Sequence, residues 1–173
     1  MPCPLTGSQA LDCKDSIGGI LEAKVKVLPI DSVITSDYVV TSGTVAIASA
    51  SRSGWYTYSL EKETSAFNDD PQPNQQNGTL FYLQTIKIIM NKMSARLSYE
   101  VQLLGKNRLQ WAIKDMNGAC WLFGMKFGTD MSAGVAGSGT ARGDRSGYEL
   151  TFLGKEDAPA PNLSLASYNQ LVS

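Results

Sequence analysis

Residues 109–127 read LQWAIKDMNGACWLFGMKF, and this stretch decides the fold class. Leu, Trp and Ile alternate with other residues over positions 109–113, which is the spacing of a β-strand with one apolar face. Asn117-Gly118 then predicts a tight turn, because this pair tolerates the positive φ angles of the primed turns. Residues 120–127 return as a second apolar strand. The stretch therefore predicts a β-hairpin.

Further strand patterns lie on both sides of this hairpin. Residues 21–27 alternate apolar with charged side chains, as expected for a half-buried strand. Residues 38–49 and 55–60 are rich in β-branched and aromatic side chains, and the turn residues 52–54 between them predict a second hairpin. Residues 79–89 are apolar on both faces. Such a strand needs cover on both sides, either from its own domain or from a neighbouring subunit.

One helix is predicted at about residues 92–104, where apolar side chains recur every three or four positions. Asn91 or Ser94 suits its first cap, and Gly105 suits the position just past its end. The whole pattern predicts a mainly β protein. We expect a two-sheet β-sandwich or barrel with this one packed helix and with extended N- and C-terminal arms.

The composition along the chain predicts one domain with two arms. Residues 1–18 and 158–173 are small, polar or rich in proline, and are expected to form an N-terminal and a C-terminal arm. Residues 19–157 are expected to form the β-sandwich domain. Within it, residues 67–78 read FNDDPQPNQQNG, which predicts an exposed loop because two prolines and many amides do not suit a core.

Composition also excludes several classes of function. Fifteen Lys and Arg against sixteen Asp and Glu give a formal net charge of -1, so a basic surface that wraps nucleic acid is not expected. The chain contains no histidine, which excludes Ser-His-Asp and Cys-His catalysis and His-ligated zinc. We therefore expect no enzyme activity, no metal and no cofactor.

Neither a membrane segment nor a disulfide framework is predicted. The longest apolar run is far shorter than the roughly 20 residues that a membrane helix needs. Cys3, Cys13 and Cys120 are too few and too irregularly spaced for a set of disulfides, and are expected to be free thiols in a chain made in a reducing cytoplasm.

Local motifs favour structural over catalytic interpretations. Residues 137–144 resemble a phosphate-binding loop, but no Lys-Ser/Thr pair follows the last glycine, so a β–β connection is favoured. The scattered acidic residues suit turns, and the aromatic residues suit a core or a subunit interface. Two alternatives stay open at this point. One is a monomeric β-sandwich binding module with its site at residues 134–147, and the other is a histidine-free enzyme that uses Asp115 or Asp130.

Several segments together resemble the tail tube (major tail) proteins of tailed bacteriophages, or a related head–tail ring protein. The resemblance covers about residues 12–162, and its most specific part is GDRSGYELTF at residues 143–152. The other segments are CKDSIGGI at 13–20, NGTLF at 77–81, LLGKNR at 103–108, DMNG at 115–118, Gly124 and GTD at 128–130.

This resemblance implies a virion structural protein made in the host cytoplasm, located in the tail, and assembled as stacked six-membered rings. DNA would pass through the bore without specific binding, and the partners would be further copies and other tail or connector proteins, with no membrane. The alternatives are a single-ring connector or stopper, or the monomeric binding module. By position, the loop and arms would contact neighbouring subunits. The expected inter-subunit residues are Phe67, Asp69, Asp70, Pro71, Pro73, Tyr82, Pro159 and Pro161.

Overall fold

The computed structural model of the chain describes residues 7, 9, 14–28, 38–48 and 51–172. In this part of the chain, eleven strands belong to one hydrogen-bonded sheet, accompanied by two helices. The strands are β1 (Ile20–Val27), β2 (Tyr38–Thr41), β3 (Thr44–Ile47), β4 (Tyr56–Ser59), β5 (Ala66–Asn74), β6 (Thr79–Asn91), β7 (Leu109–Asp115), β8 (Cys120–Phe123), β9 (Thr129–Gly137), β10 (Gly147–Glu156) and β11 (Asn162–Leu163). The helices are α1 (Ala95–Lys106) and α2 (Leu165–Asn169). The mainly β prediction is confirmed.

The sheet divides into two wings that meet at one residue pair. The first wing has the strand order β4-β1-β7-β8-β11-β3-β2, and the second has the order β9-β10-β6-β5. They are joined at the pair Leu109↔Thr129. Trp111 reinforces this link by donating its Nε1–H to Oγ1 of Thr129 at 3.1 Å. Because the sheet stays open, the predicted two-sheet sandwich or barrel is not confirmed.

Strand β7 is buried on both of its faces, since each of its first five residues is buried. On one face Trp111 contacts the second wing, where its ring centroid lies 4.8 Å from that of Phe152. On the other face Ala112 joins a separate apolar cluster together with Leu122 of β8. The predicted hairpin forms, because β7 pairs with β8 and Gly118 in the turn has φ of +83°. The returning strand is shorter than the predicted 120–127, since β8 ends at Phe123 and residues 124–127 are bends.

The C-terminal residues cover the outer face of the first wing. Strand β11 inserts between β8 and β3, and Tyr168 and Leu171 are buried in the same cluster as Ala112. The buried Lys24 donates from Nζ to the carbonyls of Tyr168 (3.1 Å) and Leu171 (2.9 Å). The prediction of a loose arm at residues 158–173 is therefore wrong. These side chains fill an apolar face that would otherwise contact water.

The prediction of a loop at residues 67–78 is also wrong in its conformation, although the segment is exposed. Strand β5 pairs with β6 along its whole length, from Ala66↔Lys87 to Asn74↔Thr79. Prolines are compatible with this strand because β5 lies at the edge of the sheet, where a backbone nitrogen that faces solvent needs no partner. Only residues 75–78 form a turn.

The predicted hairpin between residues 38–49 and 55–60 does not form. Strands β2 and β3 pair with each other instead, around a turn at Ser42 and Gly43. Strand β4 pairs with β1, in the register Val25↔Tyr56. A propensity pattern identifies strands but not their partners, because pairing depends on packing between residues that are distant in the sequence.

Helix α1 begins and ends later than the predicted range of 92–104. The cap at Ser94 is confirmed, because its Oγ accepts a hydrogen bond from the backbone N–H of Leu97 at 3.2 Å. Gly105 was expected past the helix end but lies within the last turn. The helix ends at Asn107 in extended backbone, whose N–H donates to the carbonyl of Leu103 at 3.2 Å.

Most of the predicted N-terminal arm, residues 1–18, lies outside the described residues. Residues 14–18 have no regular structure and are exposed, as expected for an arm. They are nevertheless attached to the β7–β8 turn. Ile17 donates its N–H to Oδ1 of Asn117 and accepts a bond from Nδ2 of Asn117, both at 2.7 Å.

We predict that Gly147→Ala destabilises the second wing. A Cβ atom at Gly147 would lie 2.1 Å from the carbonyl oxygen of Met90, so β10 would have to move away from β6. Overpacking of this kind typically costs about 1–3 kcal/mol of unfolding free energy. Urea titration followed by circular dichroism measures the change. The matched control is Gly143→Ala, where a Cβ meets nothing within 4 Å. Equal stability of the two variants would contradict the packing.

We predict that Lys24→Met loosens the C-terminal residues. The carbonyls of Tyr168 and Leu171 would each lose a hydrogen bond from the buried ammonium group. A hydrogen bond to a charged group typically contributes about 1.5–3 kcal/mol to the free energy of unfolding. Hydrogen exchange should therefore accelerate over residues 162–172 while the second wing stays protected. The exposed Lys62→Met serves as control. Unchanged exchange in the Lys24 variant would show that the cluster holds these residues without the lysine.

Candidate assembly interface

The described residues offer little that resembles a catalytic centre. Among them, no group of three or more His, Cys, Asp or Glu side chains could hold a metal ion. Asp115 accepts backbone hydrogen bonds from Asn117 and Ala119, and Asp144 accepts them from Thr140 and Ala141. Both carboxylates therefore shape turns. In the same part of the chain, no helix is long and apolar enough to cross a membrane.

The end of the β5–β6 hairpin projects beyond the rest of the sheet. Strand β10 accompanies β6 only as far as the pair Glu156↔Tyr82, so residues 72–81 form a two-stranded ribbon. We call this ribbon the hairpin tip. Its side chains include Leu80 and Phe81, which are 51% and 37% exposed. A two-stranded ribbon is at best marginally stable in water, so the hairpin tip would gain stability from a partner.

The outer edge of β5 resists pairing with another strand. Pro71 and Pro73 cannot donate to β6, so their nitrogens face outward and leave that part of the edge without N–H donors. Outward-facing prolines and charges are the usual means by which proteins protect an exposed edge. Contacts through the far half of β5 would therefore depend on side chains.

Asp69 connects β5 to the residues that follow β10. Its Oδ2 accepts a hydrogen bond from the backbone N–H of Ala160 at 2.7 Å, whereas its buried Oδ1 has no partner among the described residues. Burial raises the pKa of Asp69, and the nearby Asp70 adds to the rise, while the bond from Ala160 opposes it. The predicted inter-subunit positions at 69 and 159–161 therefore lie close together.

The predicted inter-subunit residues differ in how available they are. Asp70, Pro71, Pro73 and Pro159 are exposed, and Tyr82 is half-buried at the base of the hairpin tip. Phe67 is half-buried against the core, with its ring centroid 4.9 Å from that of Phe123. Pro161 is buried, and its carbonyl accepts a bond from the N–H of Leu122. Leu80 and Phe81 were missed, although their apolar character beside an Asn-Gly turn could have indicated an exposed ribbon.

The outer face of the second wing carries mixed charges together with the exposed apolar side chains of Val135 and Leu153. Leu150 and Phe152 of β10 point into the core, so their neighbours point outward. Glu149 binds Lys87 at 2.6 Å and Arg145 at 2.9 Å, and these two cations lower its pKa. Other side chains of this face are Asn68, Asp70, Thr85, Thr151 and Lys155. No strongly basic patch develops on it.

A groove of about 880 Å³ lies between β4 and helix α1. Its lining includes Leu60, Met90 and Leu97. Burial raises the pKa of Tyr58 beside it, and Glu100 adds to the rise, whereas Arg96 opposes it. No sequence pattern indicated this groove, because it depends on how the helix lies against the sheet.

Comparison of the chain with protein-family models, with characterised proteins and with solved structures finds no match to any of the three.

Proposed function

We propose that this chain is a virion structural protein that assembles into rings, which stack as the tail tube of a tailed bacteriophage. The observation that carries the proposal is the hairpin tip, a two-stranded ribbon that projects from the sheet with Leu80 and Phe81 exposed. Such a ribbon suits a contact with another subunit. The resemblance of residues 143–152 to tail tube proteins is the reason for proposing stacked rings rather than another assembly.

The free edges of the second wing support a ring. Strand β5 is one edge of the wing, and β9 pairs only with β10 beyond Thr129 in the described part of the chain. Contacts between two different edges are heterologous, and heterologous contacts close into rings when the rotation permits. Because the distal half of β5 carries prolines, we expect its side chains to make part of that contact.

The outer face of the second wing suits the lining of a bore through which DNA passes. A strongly basic bore would hold the phosphate backbone, since each neutralised phosphate releases counterions. The face instead pairs Lys87 and Arg145 with Glu149, and the whole chain has a net charge of -1. The proposal requires no catalytic residue and no cofactor, and it places the protein in the virion tail after synthesis in the host cytoplasm.

Two other candidate functions predict different assembly states. A head–tail connector or stopper would form one ring and no tube. A monomeric binding module would stay monomeric, and the groove between β4 and α1 is the observation that favours it. Mass photometry and negative-stain microscopy of the concentrated chain separate the three, because tubes, single rings and monomers differ in both mass and shape.

We predict that the double variant Leu80→Ser, Phe81→Ser blocks tube growth and leaves the fold intact. Leu80 is 51% and Phe81 37% exposed, and the ammonium of Lys155 lies over the Phe81 ring. The free energy of unfolding should therefore fall by no more than about 1–2 kcal/mol, which leaves the fold intact. Tube length in micrographs is the readout. Tyr99→Ser, at a residue that is 60% exposed on α1, is the matched control. Normal tubes from the double variant would remove the hairpin tip from the interface.

A further inference from the structure

The groove between β4 and α1 runs along an edge of β4 whose backbone has no strand partner in the described part of the chain. Leu60 donates its N–H to the carbonyl of Leu21 at 3.3 Å, which fixes the phase of the β1–β4 ladder. In an antiparallel ladder, residues alternate in the direction of their backbone groups. The N–H and C=O of Thr57 and Ser59 therefore point away from β1 and toward the groove. Among the described residues, β4 has β1 as its sole strand neighbour.

This edge lacks the features that protect β5. Residues 56–59 read YTYS, with neither proline nor charge, whereas β5 carries Pro71 and Pro73 on its outward side. The groove has a mixed lining, in which Glu61, Arg96 and Glu100 accompany apolar side chains. An unprotected edge beside such a groove can accept an added strand, in which backbone hydrogen bonds supply affinity and alternate side chains enter the groove. Ile89 and Leu97 line the groove opposite that edge.

The occupant is an extended segment, and the N-terminal residues of this chain have the composition for it. Residues 5–11 read LTGSQAL, without proline or charge and with a leucine at each end. The thirteen residues before Lys14 can span on the order of 40 Å when extended, and four paired residues need about 13 Å. Gly7 is exposed.

The described residues just before β1 lie on the side of that strand away from the groove. Strand β1 lies between β4 on one side and β7 on the other. Ile17 is bonded to Asn117 in the turn that follows β7, so the chain leaves β1 on the side opposite β4. The described residues 14–17 therefore lie on the side of β1 away from the groove, which favours another molecule as the source of the added strand.

We propose that the groove between β4 and α1 binds residues 5–11 of a second copy of this chain as an added strand beside Thr57 and Ser59. The inference rests on the proposed function, which supplies the second copy. It adds a specific contact to the assembly: each subunit would give its N-terminal segment to one neighbour and accept a segment from another. Such a donor–acceptor contact is heterologous, as a ring or a stack of rings requires.

Disulfide trapping between two full-length chains tests the proposal. One chain carries Cys3→Ser, Cys13→Ser and Arg96→Cys, which introduces a thiol at the groove, and the other keeps its natural cysteines. After mild oxidation with oxidised glutathione, we expect a covalent dimer that joins Cys3 or Cys13 to position 96. The matched control is Ser98→Cys in place of the change at Arg96. Ser98 is exposed on the same helix but does not line the groove.

The yield of covalent dimer should be at least about tenfold higher with the cysteine at position 96 than at position 98, because a disulfide forms only where the two Cα atoms approach within about 7 Å. Equal yields would overturn the proposal. The proposal would also be overturned if the disulfide formed only within one chain. The variant Arg96→Cys with its natural cysteines, oxidised alone at high dilution, measures that intramolecular disulfide. Thr57→Pro removes an outward N–H and should abolish the bond, whereas Thr57→Ala should retain it. Retention of the bond in a folded Thr57→Pro variant would exclude strand addition.

Micrographs of the same samples keep this inference separate from the proposed function. Tubes without the disulfide at position 96 would overturn the groove contact and leave the tube assignment standing. Cross-linked chains that never form rings would support the groove contact and overturn the tube. Monomers with neither product would overturn both.

Discussion

The burial of β7 on both faces is the constraint on which the rest of the structure depends. A strand that is apolar on both sides cannot face water, so each face of the first wing needs cover. The second wing covers the face that carries Trp111, and the C-terminal residues cover the face that carries Ala112. The Asn-Gly hairpin, the path of the C-terminus and the position of β10 all follow from this requirement.

The joint between the wings needs special backbone and a buried carboxylate. Gly124 has φ of +63°, and a Cβ there would lie 2.9 Å from the carbonyl of Leu109, so only glycine allows the close approach. Glu156 accepts backbone hydrogen bonds from Lys126, Phe127 and Gly128 and thereby holds the turn. Burial raises the pKa of Glu156, while these three N–H groups oppose the rise. A turn held in this way fixes the position of β9. Because β9 is one of the two free edges of the second wing, the turn also fixes part of the proposed interface.

Features that depend on neighbouring residues were predictable, and features that depend on distant ones were not. The β7–β8 hairpin and the cap at Ser94 follow from local turn and capping chemistry. The C-terminal residues lacked any such signal, because α2 has five residues and its anchor, Lys24, lies 144 residues earlier in the chain. Strand β5 was mistaken for a loop because prolines are compatible with a strand at an edge, and the sequence does not say which strands are edges.

The same reasoning separates the parts of the candidate interface that sequence can reveal from those it cannot. Pro71 and Pro73 protect β5 and are visible in the sequence. The lack of protection on β4 has meaning only once the structure shows that β1 alone pairs with it among the described residues. An unprotected edge that borders an open groove would promote uncontrolled pairing if it had no intended partner. The contrast between the two edges is therefore itself an argument that β4 receives a strand, and that β5 makes its contacts through side chains.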